Sequence, residues 1–566
     1  MRGPSLLFCP FGRLPTGAAR TSKVVGSQQM LKAGACCTLC PAGCGVQRVQ
    51  AGPDVWRIDP PLRDTGGLCP RGVTLGELLN HRKRILWPAR REDGGWRQAT
   101  MDDVASAVAA AARERGVTVF LDANVPCEQL SAAASWCRAW PGAKLCLVLE
   151  PAEEQLLLGV EAGGAEHVGE DALADCDGFL IVGDAFAANP RASRGVFLRR
   201  TEQARTPIIS IDPAGGTAAK FATHAVPVVP GQEAGALAAL AAGAGVRIDL
   251  AGLAVPKNPA ARAAGEALAR CERPAVLLAA EHGRTAAWRE VGYLASQLAA
   301  AMGGQIACET AGANALAALR YGAKQGTVGL AEALADRAAA WVVVGCDLLG
   351  MLGWTGVPIL AAAAAMPNET TNAAGFVLPV ALPAEMAGTF LLSGLREAAV
   401  EAVLPPPAGV PTPGELIEKL ALAAGAGVPV EPDEPAPFER LACDPPAAVA
   451  CADPDGLVLL FGRQAAQAGC GALTGHGAWQ QAVAPLPELR LSEADAEAMG
   501  VAPLAAVGVS ANGTSVRAVA HVSRQTPRGV AVLPEGSAAC RRLAACEIDE
   551  SAGQVLARPA VVEITP

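Results

Sequence analysis

The chain has 566 residues, a net charge of −9 and a hydrophobic fraction of 51%. This length is enough for three or four domains, and a pI of about 5.4 gives no support for binding nucleic acid or an anionic membrane. The 18 cysteines, many of them isolated in apolar runs, indicate a reducing compartment, so we expect a cytoplasmic protein.

Residues 1–35 precede the first motif and are expected to form a poorly ordered extension. They contain no continuous apolar segment typical of a secretory signal, and no twin-arginine pair followed by one. Met30 is a second candidate start, and none of the motifs below depends on residues 1–29.

Four cysteines with the spacing C-x2-C-x3-C-x24-C follow: Cys37, Cys40, Cys44 and Cys69. Three thiolates on a tight loop and a fourth from a longer excursion can bind the four irons of a [4Fe-4S] cluster. Zinc is the alternative, although four-cysteine zinc sites usually consist of two C-x2-C knuckles. Cys36 could replace Cys37, but Cys37 keeps two residues between the first pair. Residues 36–88 are therefore predicted to form a small iron-sulfur domain.

From Trp96 to about residue 430, buried strands alternate with Ala-rich segments of helical length. Thr100 can cap the first helix and Gly116 can end it. Apolar strands separated by helices are typical of parallel sheets covered on both faces, so residues 89–430 are predicted to form two interleaved, doubly wound α/β domains. The predicted strands are Val117–Leu121, Leu145–Leu149, Gly178–Val182, Ile208–Ile211, Val226–Val229, Ala275–Ala279, Trp341–Val344 and Phe376–Leu378.

Leu348–Met366 has no charged residue over nineteen positions, which is long enough for a membrane span. Three glycines and Pro358 interrupt it, and pieces of this kind fit buried strands and their loops better. We expect no membrane-spanning helix.

The C-terminal part differs from the α/β region in composition and in the length of its strands. Residues 431–445 form a Pro-rich linker. Short strands with Gly and Asn turns follow, and Asn512-Gly513 is a strong hairpin signal. Residues 446–566 are therefore predicted to form a compact β-barrel domain, which makes the chain an α/β protein with a small N-terminal domain and a C-terminal barrel.

The order of several motifs resembles the molybdopterin oxidoreductase superfamily, which includes formate dehydrogenases, nitrate reductases and the large peripheral-arm subunit of respiratory complex I. The cysteine motif matches best, and Ala311–Asn314 is closer to the complex I subunit than to formate dehydrogenases. The further matching segments are Asp177–Asp184, Asn189–Arg191, Ile211–Pro213, Val229–Gly231, Phe461–Arg463 and Leu491–Ala496.

The resemblance implies roles for single residues. Arg71, two positions after the fourth cysteine, would lie between cluster and pterin and assist electron transfer. Asp212 would hydrogen-bond a guanine, and a strand that ends in glycine before a helix can hold a phosphate. The residues implied to bind a molybdopterin guanine dinucleotide are Gly183, Asn189, Arg191, Asp212, Gly231, Asn314 and Arg463.

The chain departs from the superfamily at the metal ligand. Molybdenum-containing members supply this ligand some tens of residues before the Asp177 strand, where this chain has Cys146 within a predicted strand. A buried thiol is the better interpretation of Cys146. His167 is interpreted as an exposed loop residue, His282 as a turn or cofactor-loop residue, and His476 as a residue that could face a ligand.

The resemblance therefore implies an iron-sulfur oxidoreductase subunit, nearer to the complex I type, that passes electrons through one [4Fe-4S] cluster within a larger complex. Its partners would be redox subunits of ferredoxin-like, flavin/NAD or hydrogenase type, and molybdenum or tungsten is not expected. The main alternative is a catalytic Mo/W enzyme of formate dehydrogenase type that holds two guanine dinucleotides. A zinc-bearing assembly protein without redox function is a third interpretation.

Overall fold

The computed structural model describes residues 31–53, 55–61, 67–429, 439–446 and 456–565. The predicted extension up to residue 30 and the linker residues 431–438 lie outside this part of the chain. Residues 439–446 form neither helix nor strand.

The elements of the first part of the chain lead from the cysteine motif into the first α/β sheet. The N-terminal unit contains β1 (Leu31–Ala35), β2 (Gln47–Gly52), β3 (Val55–Asp59) and α1 (Pro70–Leu79). The next elements are β4 (Ala89–Glu92), β5 (Gly95–Gln98), α2 (Met101–Arg115), β6 (Val117–Asp122), α3 (Cys127–Ala139), β7 (Ala143–Val148) and α4 (Pro151–Gly163).

The middle of the chain alternates strands and helices. Its first half contains β8 (Glu166–His167), β9 (Gly178–Val182), α5 (Ala185–Ala188), α6 (Pro190–Glu202), β10 (Ile208–Ile211), β11 (His224–Val226), α7 (Glu233–Ala244), α8 (Pro259–Leu268), β12 (Pro274–Leu278), α9 (Trp288–Ala301) and β13 (Gln305–Cys308). Its second half contains α10 (Ala315–Gln325), α11 (Leu330–Ala335), β14 (Ala340–Val344), α12 (Leu348–Leu352), β15 (Ile359–Ala363), α13 (Glu369–Ala373), β16 (Ala374–Leu378), β17 (Gly388–Leu392), β18 (Arg396–Glu401) and α14 (Pro413–Ala423).

The C-terminal unit is rich in short strands. It contains β19 (Val458–Gly462), α15 (Ala478–Val483), β20 (Glu488–Leu491), α16 (Glu493–Met499), β21 (Ala506–Ala511), β22 (Thr514–Val522), β23 (Val530–Pro534), α17 (Ala538–Arg541), β24 (Glu547–Asp549), β25 (Gln554–Leu556), β26 (Ala560–Val561) and β27 (Glu563–Thr565).

Two parallel sheets form the centre of the fold. The six-stranded sheet has the order β11-β10-β9-β12-β13-β8 and its strand pairs are parallel. The seven-stranded sheet has the order β5-β4-β16-β15-β14-β6-β7, with the antiparallel hairpin β4–β5 at one edge. It takes β6 and β7 from before the six-stranded sheet and β14 to β16 from after it, so the two units are interleaved along the chain. Helices bury the central strands on both faces, which explains their unbroken apolar sequences.

The C-terminal sheet has the order β26-β19-β23-β20-β22-β21-β27 and is curled. Its edge strands β26 and β27 are separated only by Val562, so one short segment runs along both edges. Asn512 and Gly513 have φ values of 51° and 75° in the turn between β21 and β22. Only a turn with both central residues in the left-handed region matches the strand twist here, and the predicted hairpin is confirmed.

The α/β fold class with a curled C-terminal sheet is thus as predicted, with local differences. The predicted strand over 226–229 ends at Val226, because Pro227 cannot donate a ladder hydrogen bond. β1 lies in the predicted extension, where it pairs in parallel with β18. The charge-free stretch contains α12 and β15. In the described part of the chain, no helix is long and apolar enough to cross a membrane.

Candidate functional site

The cysteine loop connects β1 to β2 and lies at the carboxyl edge of both α/β sheets. Asn124, which follows β6, donates to the Thr38 carbonyl at 3.0 Å, and the Ala313 N–H, after β13, donates to the same carbonyl at 3.1 Å. Gly43 has a φ of 58°, and a Cβ there would collide with the Leu392 side chain. Both sheets therefore fix the position of the loop.

The structure brings the four predicted ligand thiols together. Cys37, Cys40 and Cys44 lie on the loop, and Cys69 is the residue before the first turn of α1. Burial raises the pKa of Cys37 to about 12 and that of Cys40 well above its usual value, and the charges of the other thiols raise both further. Four buried thiols that repel one another as thiolates are stabilised by a bound cation or metal cluster.

Cys36 lies apart from this group. Its side chain packs in an apolar cluster with Phe390, Leu392 and Val400, whereas Cys37 packs with Leu39. The pKa of Cys36 is also raised, by burial and then by the charge of Cys44, so Cys37 stays the predicted first ligand.

A single zinc ion and a four-iron cluster require different spacings of the four thiols. Thiolates around one tetrahedral zinc lie about 3.8 Å apart. Over the described residues, no three His, Cys, Asp or Glu side chains converge on a position for one metal ion. A four-iron cluster needs its four ligands further apart, because each binds a different iron.

Two arginines approach the thiols. Arg71 is 1% exposed, contacts the Cys69 thiol and donates to the Ala188 carbonyl at 2.5 Å. Arg191 contacts the thiol of Cys44. Arg191, implied by the resemblance to bind a dinucleotide, therefore lies beside the cysteines instead.

Each parallel sheet has a point where its strand order reverses, and ligands of such sheets bind in the crevice outside the strand ends there. In the six-stranded sheet this point lies between β9 and β12, and in the seven-stranded sheet between β6 and β14. We call them the β9/β12 crevice and the β6/β14 crevice.

Two predicted nucleotide residues at the β9/β12 crevice make bonds within the protein. The Gly183 N–H donates to the Ile211 carbonyl. Asp212 accepts from the N–H groups of Ala214 and Gly216 at 2.8 and 2.7 Å, and from Arg284 at 2.7 Å. The Asp212 carboxylate is thus a loop-forming group, unlike the guanine-binding role that the resemblance implies.

The C-terminal unit covers this crevice. Arg463, at the end of β19, donates to the Ala280 carbonyl at 2.6 Å and pairs with Glu153 and Glu535. His282 is buried there; its ring contacts the Ala544 carbonyl at 2.8 Å, and burial lowers its pKa to about 3. His282 is therefore a neutral structural residue between the units.

Several buried polar atoms of the crevice have no hydrogen bond among the described residues. Both carboxylate oxygens of Glu233 are in this state, as is Oε2 of Glu281. The Nε atoms of Arg284 and Arg463 face Glu281 and Glu535 at 3.3 and 3.2 Å but do not meet hydrogen-bond geometry. Carboxylates suit the N–H donors of a guanine, and guanidinium groups suit a pyrophosphate. This donor and acceptor set fits a guanine dinucleotide.

Burial raises the pKa of Glu233 to about 7, although its own N–H, the charge of Arg284 and the N–H of Gly231 act in the opposite direction. Gly231 has a φ of 89° in the turn before α7 and so positions this side chain. The sequence pointed to Gly231 but not to Glu233, the buried acid two residues later whose pKa is raised.

The β6/β14 crevice contains a cavity of about 130 Å³. Its walls include Leu39 from the cysteine loop, Asp122 at the end of β6, and Cys346 and Asp347 at the end of β14. Burial raises the pKa of Asp122 to about 6.

The remaining candidates are structural. Cys146 packs in the core with Phe120 and Trp341, as expected of a buried thiol. Asn314 is fully buried and bonds to the Val125 carbonyl and the Leu391 N–H, so it ties elements together and does not line either crevice. His167 was expected to be exposed, but only 6% of its side chain is accessible.

The ring of His476, which could have faced a ligand, contacts the Pro367 carbonyl at 2.9 Å. This contact holds the turn before α15 in place.

Comparison with known proteins finds a family model that matches the C-terminal unit. Residues 457–559 match the family model "Molydopterin dinucleotide binding domain". The C-terminal unit resembles such a domain. This match supports the molybdopterin oxidoreductase superfamily, an enzyme, and a cofactor of the molybdopterin dinucleotide type. No curated protein matches the chain.

A solved structure shares the fold of most of the chain. Acetylene hydratase from Pelobacter acetylenicus aligns with 94% of this chain and 99% of its own, with a TM-score of 0.70 and 12% identity. The formyltransferase/hydrolase complex FhcABCD from Methylorubrum extorquens aligns with 59% of this chain and 98% of that chain, with a TM-score of 0.42 and 18% identity.

Proposed function

We propose that the protein is an iron-sulfur oxidoreductase of the molybdopterin oxidoreductase superfamily that passes electrons through one [4Fe-4S] cluster within a larger redox complex. The observation that carries the proposal is the group of four thiols near Arg71, two of them buried and two half-buried. Such a cluster accepts and donates single electrons. The lack of a metal ligand at Cys146, which lies in the core, favours the complex I type over the formate dehydrogenase type.

The surrounding residues would set the properties of the cluster. Arg71 and Arg191 place positive charge beside the thiolates. Hydrogen bonds and positive charges at the sulfurs would raise the reduction potential of the cluster. The burial of Cys37 and Cys40 excludes water from one side of the site. Cys44 and Cys69 are half-buried, which leaves a side from which an electron partner can approach.

A candidate surface for a partner begins where α1 ends. Residues 81–98 hold six Lys/Arg and two Asp/Glu in a chain whose net charge is −9. Arg82 and Lys83 are exposed, and Trp87 and Trp96 are 57% and 45% exposed. Exposed tryptophan and arginine side chains are frequent anchors in protein interfaces, and this surface supports the proposed redox subunits as partners.

Replacement of one ligand tests the proposal. We expect Cys40→Ser to lose the iron and the visible absorbance of the anaerobically purified protein, while its circular dichroism is unchanged. Cys36→Ser is the matched control, since Cys36 lies next in sequence to a ligand but packs elsewhere, and it should retain about four irons per chain. Full iron content in Cys40→Ser would refute the assignment.

The domain match favours a second candidate, a catalytic Mo/W enzyme with bound guanine dinucleotides. Glu233 and Glu281 would then hold the guanine, and Arg284 and Arg463 the pyrophosphate. When bound, the group would supply the two-electron chemistry of its metal. The chain's own residues would orient the nucleotide and, through the covering C-terminal unit, exclude water from it.

Elemental analysis and nucleotide release separate the two candidates. For an electron-transfer subunit we expect iron without molybdenum or tungsten. Molybdenum or tungsten near one per chain, together with guanine nucleotide released on denaturation, would establish the catalytic enzyme instead.

A further inference from the structure

The amide of Asn189 lies between two buried carboxylates. Its Nδ2 donates to Oε1 of Glu170 and to Oε2 of Glu309, each at 2.8 Å. Its Oδ1 accepts from the N–H groups of Arg191 and Ala192 at the start of α6. Because the oxygen caps the helix, the NH₂ group must face the carboxylates, and the two acids are held close to each other.

Glu309 is poorly solvated. Its side chain is 1% exposed, and Oε1 has no hydrogen bond among the described residues, although it is buried. The charged groups that act on it come from three other elements: Glu170 from the turn before β9, Arg71 from α1 and Arg463 from β19. The thiol of Cys308, its neighbour in the chain, is also buried and keeps its proton.

Two carboxylates that share one amide resist being ionised together. Burial and the charge of Glu170 raise the pKa of Glu309 to about 8, whereas Asn189, Arg71 and Arg463 act in the opposite direction. The pair therefore holds a proton in a buried position, and the unpaired Oε1 is the atom that can carry it.

The same turn that holds the carboxylates contacts the cysteine site. Arg71 donates to the carbonyl of Ala188, the residue before Asn189, and Arg191 contacts the Cys44 thiol. A change of charge at the thiolates therefore reaches the carboxylate pair through two arginines and one rigid turn.

We propose that Glu309, paired with Glu170, is a proton-binding site coupled to electron uptake at the cysteine site. The inference rests on the proposed [4Fe-4S] function. One electron from a partner redox protein reduces the cluster. Where the oxidised protein leaves Glu309 ionised, one proton from solvent then forms an O–H bond on it, so the added negative charge is balanced. The proton arrives from the side of Glu170, which is 8% exposed.

The pH dependence of the reduction potential tests this inference. We expect the potential, measured by EPR-monitored redox titration between pH 6 and 10, to be constant while Glu309 is protonated in both redox states. At higher pH, where the oxidised protein leaves Glu309 ionised, it should fall, with a limit of 59 mV per pH unit, which is a tenfold change in the equilibrium constant for one electron and one proton. Glu309→Gln should abolish this slope.

Glu154→Gln is the matched control, because burial raises the pKa of Glu154 to about 7 as well and Glu154 has no part in the proposed nucleotide site. It should retain the wild-type slope. If Glu309→Gln does not assemble a cluster, the wild-type protein still tests the inference. Its reduced-minus-oxidised infrared spectrum at pH 9 should show a protonated carboxyl band that shifts in D₂O.

The possible outcomes separate the two proposals. A wild-type potential that is independent of pH, or a Glu309→Gln variant with the wild-type slope, overturns the inference and leaves the cluster assignment intact. A protein without iron overturns the proposed function itself.

Discussion

Arg71 places a full positive charge in a buried position beside the cysteine thiols. We predict that Arg71→Met lowers the reduction potential, because the reduced cluster loses a charge-assisted hydrogen bond that contributes roughly 1.5–3 kcal/mol. For one electron this corresponds to roughly 60–130 mV. EPR-monitored titration measures the shift, and Arg71→Lys, which keeps the charge, should recover part of it. An unchanged potential in Arg71→Met would show that the guanidinium is only structural.

Glu233 gives a second prediction at this scale. Its pKa is raised to about 7 in the folded chain, above the usual carboxyl value of 4.5, so folding favours the protonated form. The stability that this proton confers is complete below about pH 4.5 and is lost as the pH rises through 7. Glu233→Gln should therefore raise Tm by a few degrees at pH 8 and leave it unchanged at pH 4.5. Thermal unfolding followed by circular dichroism measures both, and equal shifts at the two pH values would contradict the prediction.

The four cysteines could be predicted to lie together because a metal site fixes both residue type and spacing, whereas Arg71 came from the resemblance to the superfamily. The sequence could not assign Asp212 or Asn314, since a polar residue after a strand can face a ligand or bond to its own loop. Only the partners distinguish these cases: Asp212 accepts three hydrogen bonds within the protein. Glu233 was not predicted for a different reason. Acidic residues are common at the start of helices, and the sequence does not show that both carboxylate oxygens lack a hydrogen bond.

At the scale of elements, helices α4 and α9 pack closely because glycines stand where they cross. A Cβ on Gly159 would collide with the backbone of Arg289 and Tyr293, and one on Gly292 with the backbone of Leu156. Backbone cannot yield as a side chain can. We predict that Gly159→Ala costs about 1–3 kcal/mol through overpacking, measured by chemical denaturation. Gly329→Ala is the control, since no atom lies within 4 Å of a Cβ there.

Strands were predictable where long apolar side chains run without a break, as in β9 and β10. β13 was missed because it is short and starts with Gln305. β15 was predicted only as part of the charge-free stretch 348–366, without bounds of its own, because Ala dominates it and Gly356 and Pro358 precede it. In both cases the neighbouring strands of the sheet, rather than local propensity, establish the extended conformation.

At the scale of the whole molecule, buried ion pairs join the C-terminal unit to the α/β units. Arg541, on α17, has a fully buried side chain that donates to Glu150 at 2.6 Å and pairs with Glu535 at 3.4 Å. Removal of the cation leaves two carboxylates without compensation in a poorly solvated interface. We predict that Arg541→Met destabilises the protein by about 3–5 kcal/mol and increases the rate of proteolysis between the units.

The exposed pair Arg524–Glu493 supplies the control, because its side chains are 86% and 58% accessible. Arg524→Met should change stability by less than about 1 kcal/mol. Thermal unfolding and limited proteolysis measure both variants, and similar effects would show that the buried pairs do not hold the units together.

The parallel pairing of β1 with β18 has a consequence for the order of biosynthesis. Ala35, directly before the cysteine loop, is registered with Glu401, and the Ser393 N–H donates to the Pro41 carbonyl. At about 5–20 residues per second, a ribosome needs roughly 20–70 s to add the intervening stretch. During that interval the thiols have no partner strand to shape their loop. Assembly of the proposed cluster therefore waits until residue 401 has been made, and before then the thiols are most open to oxidation.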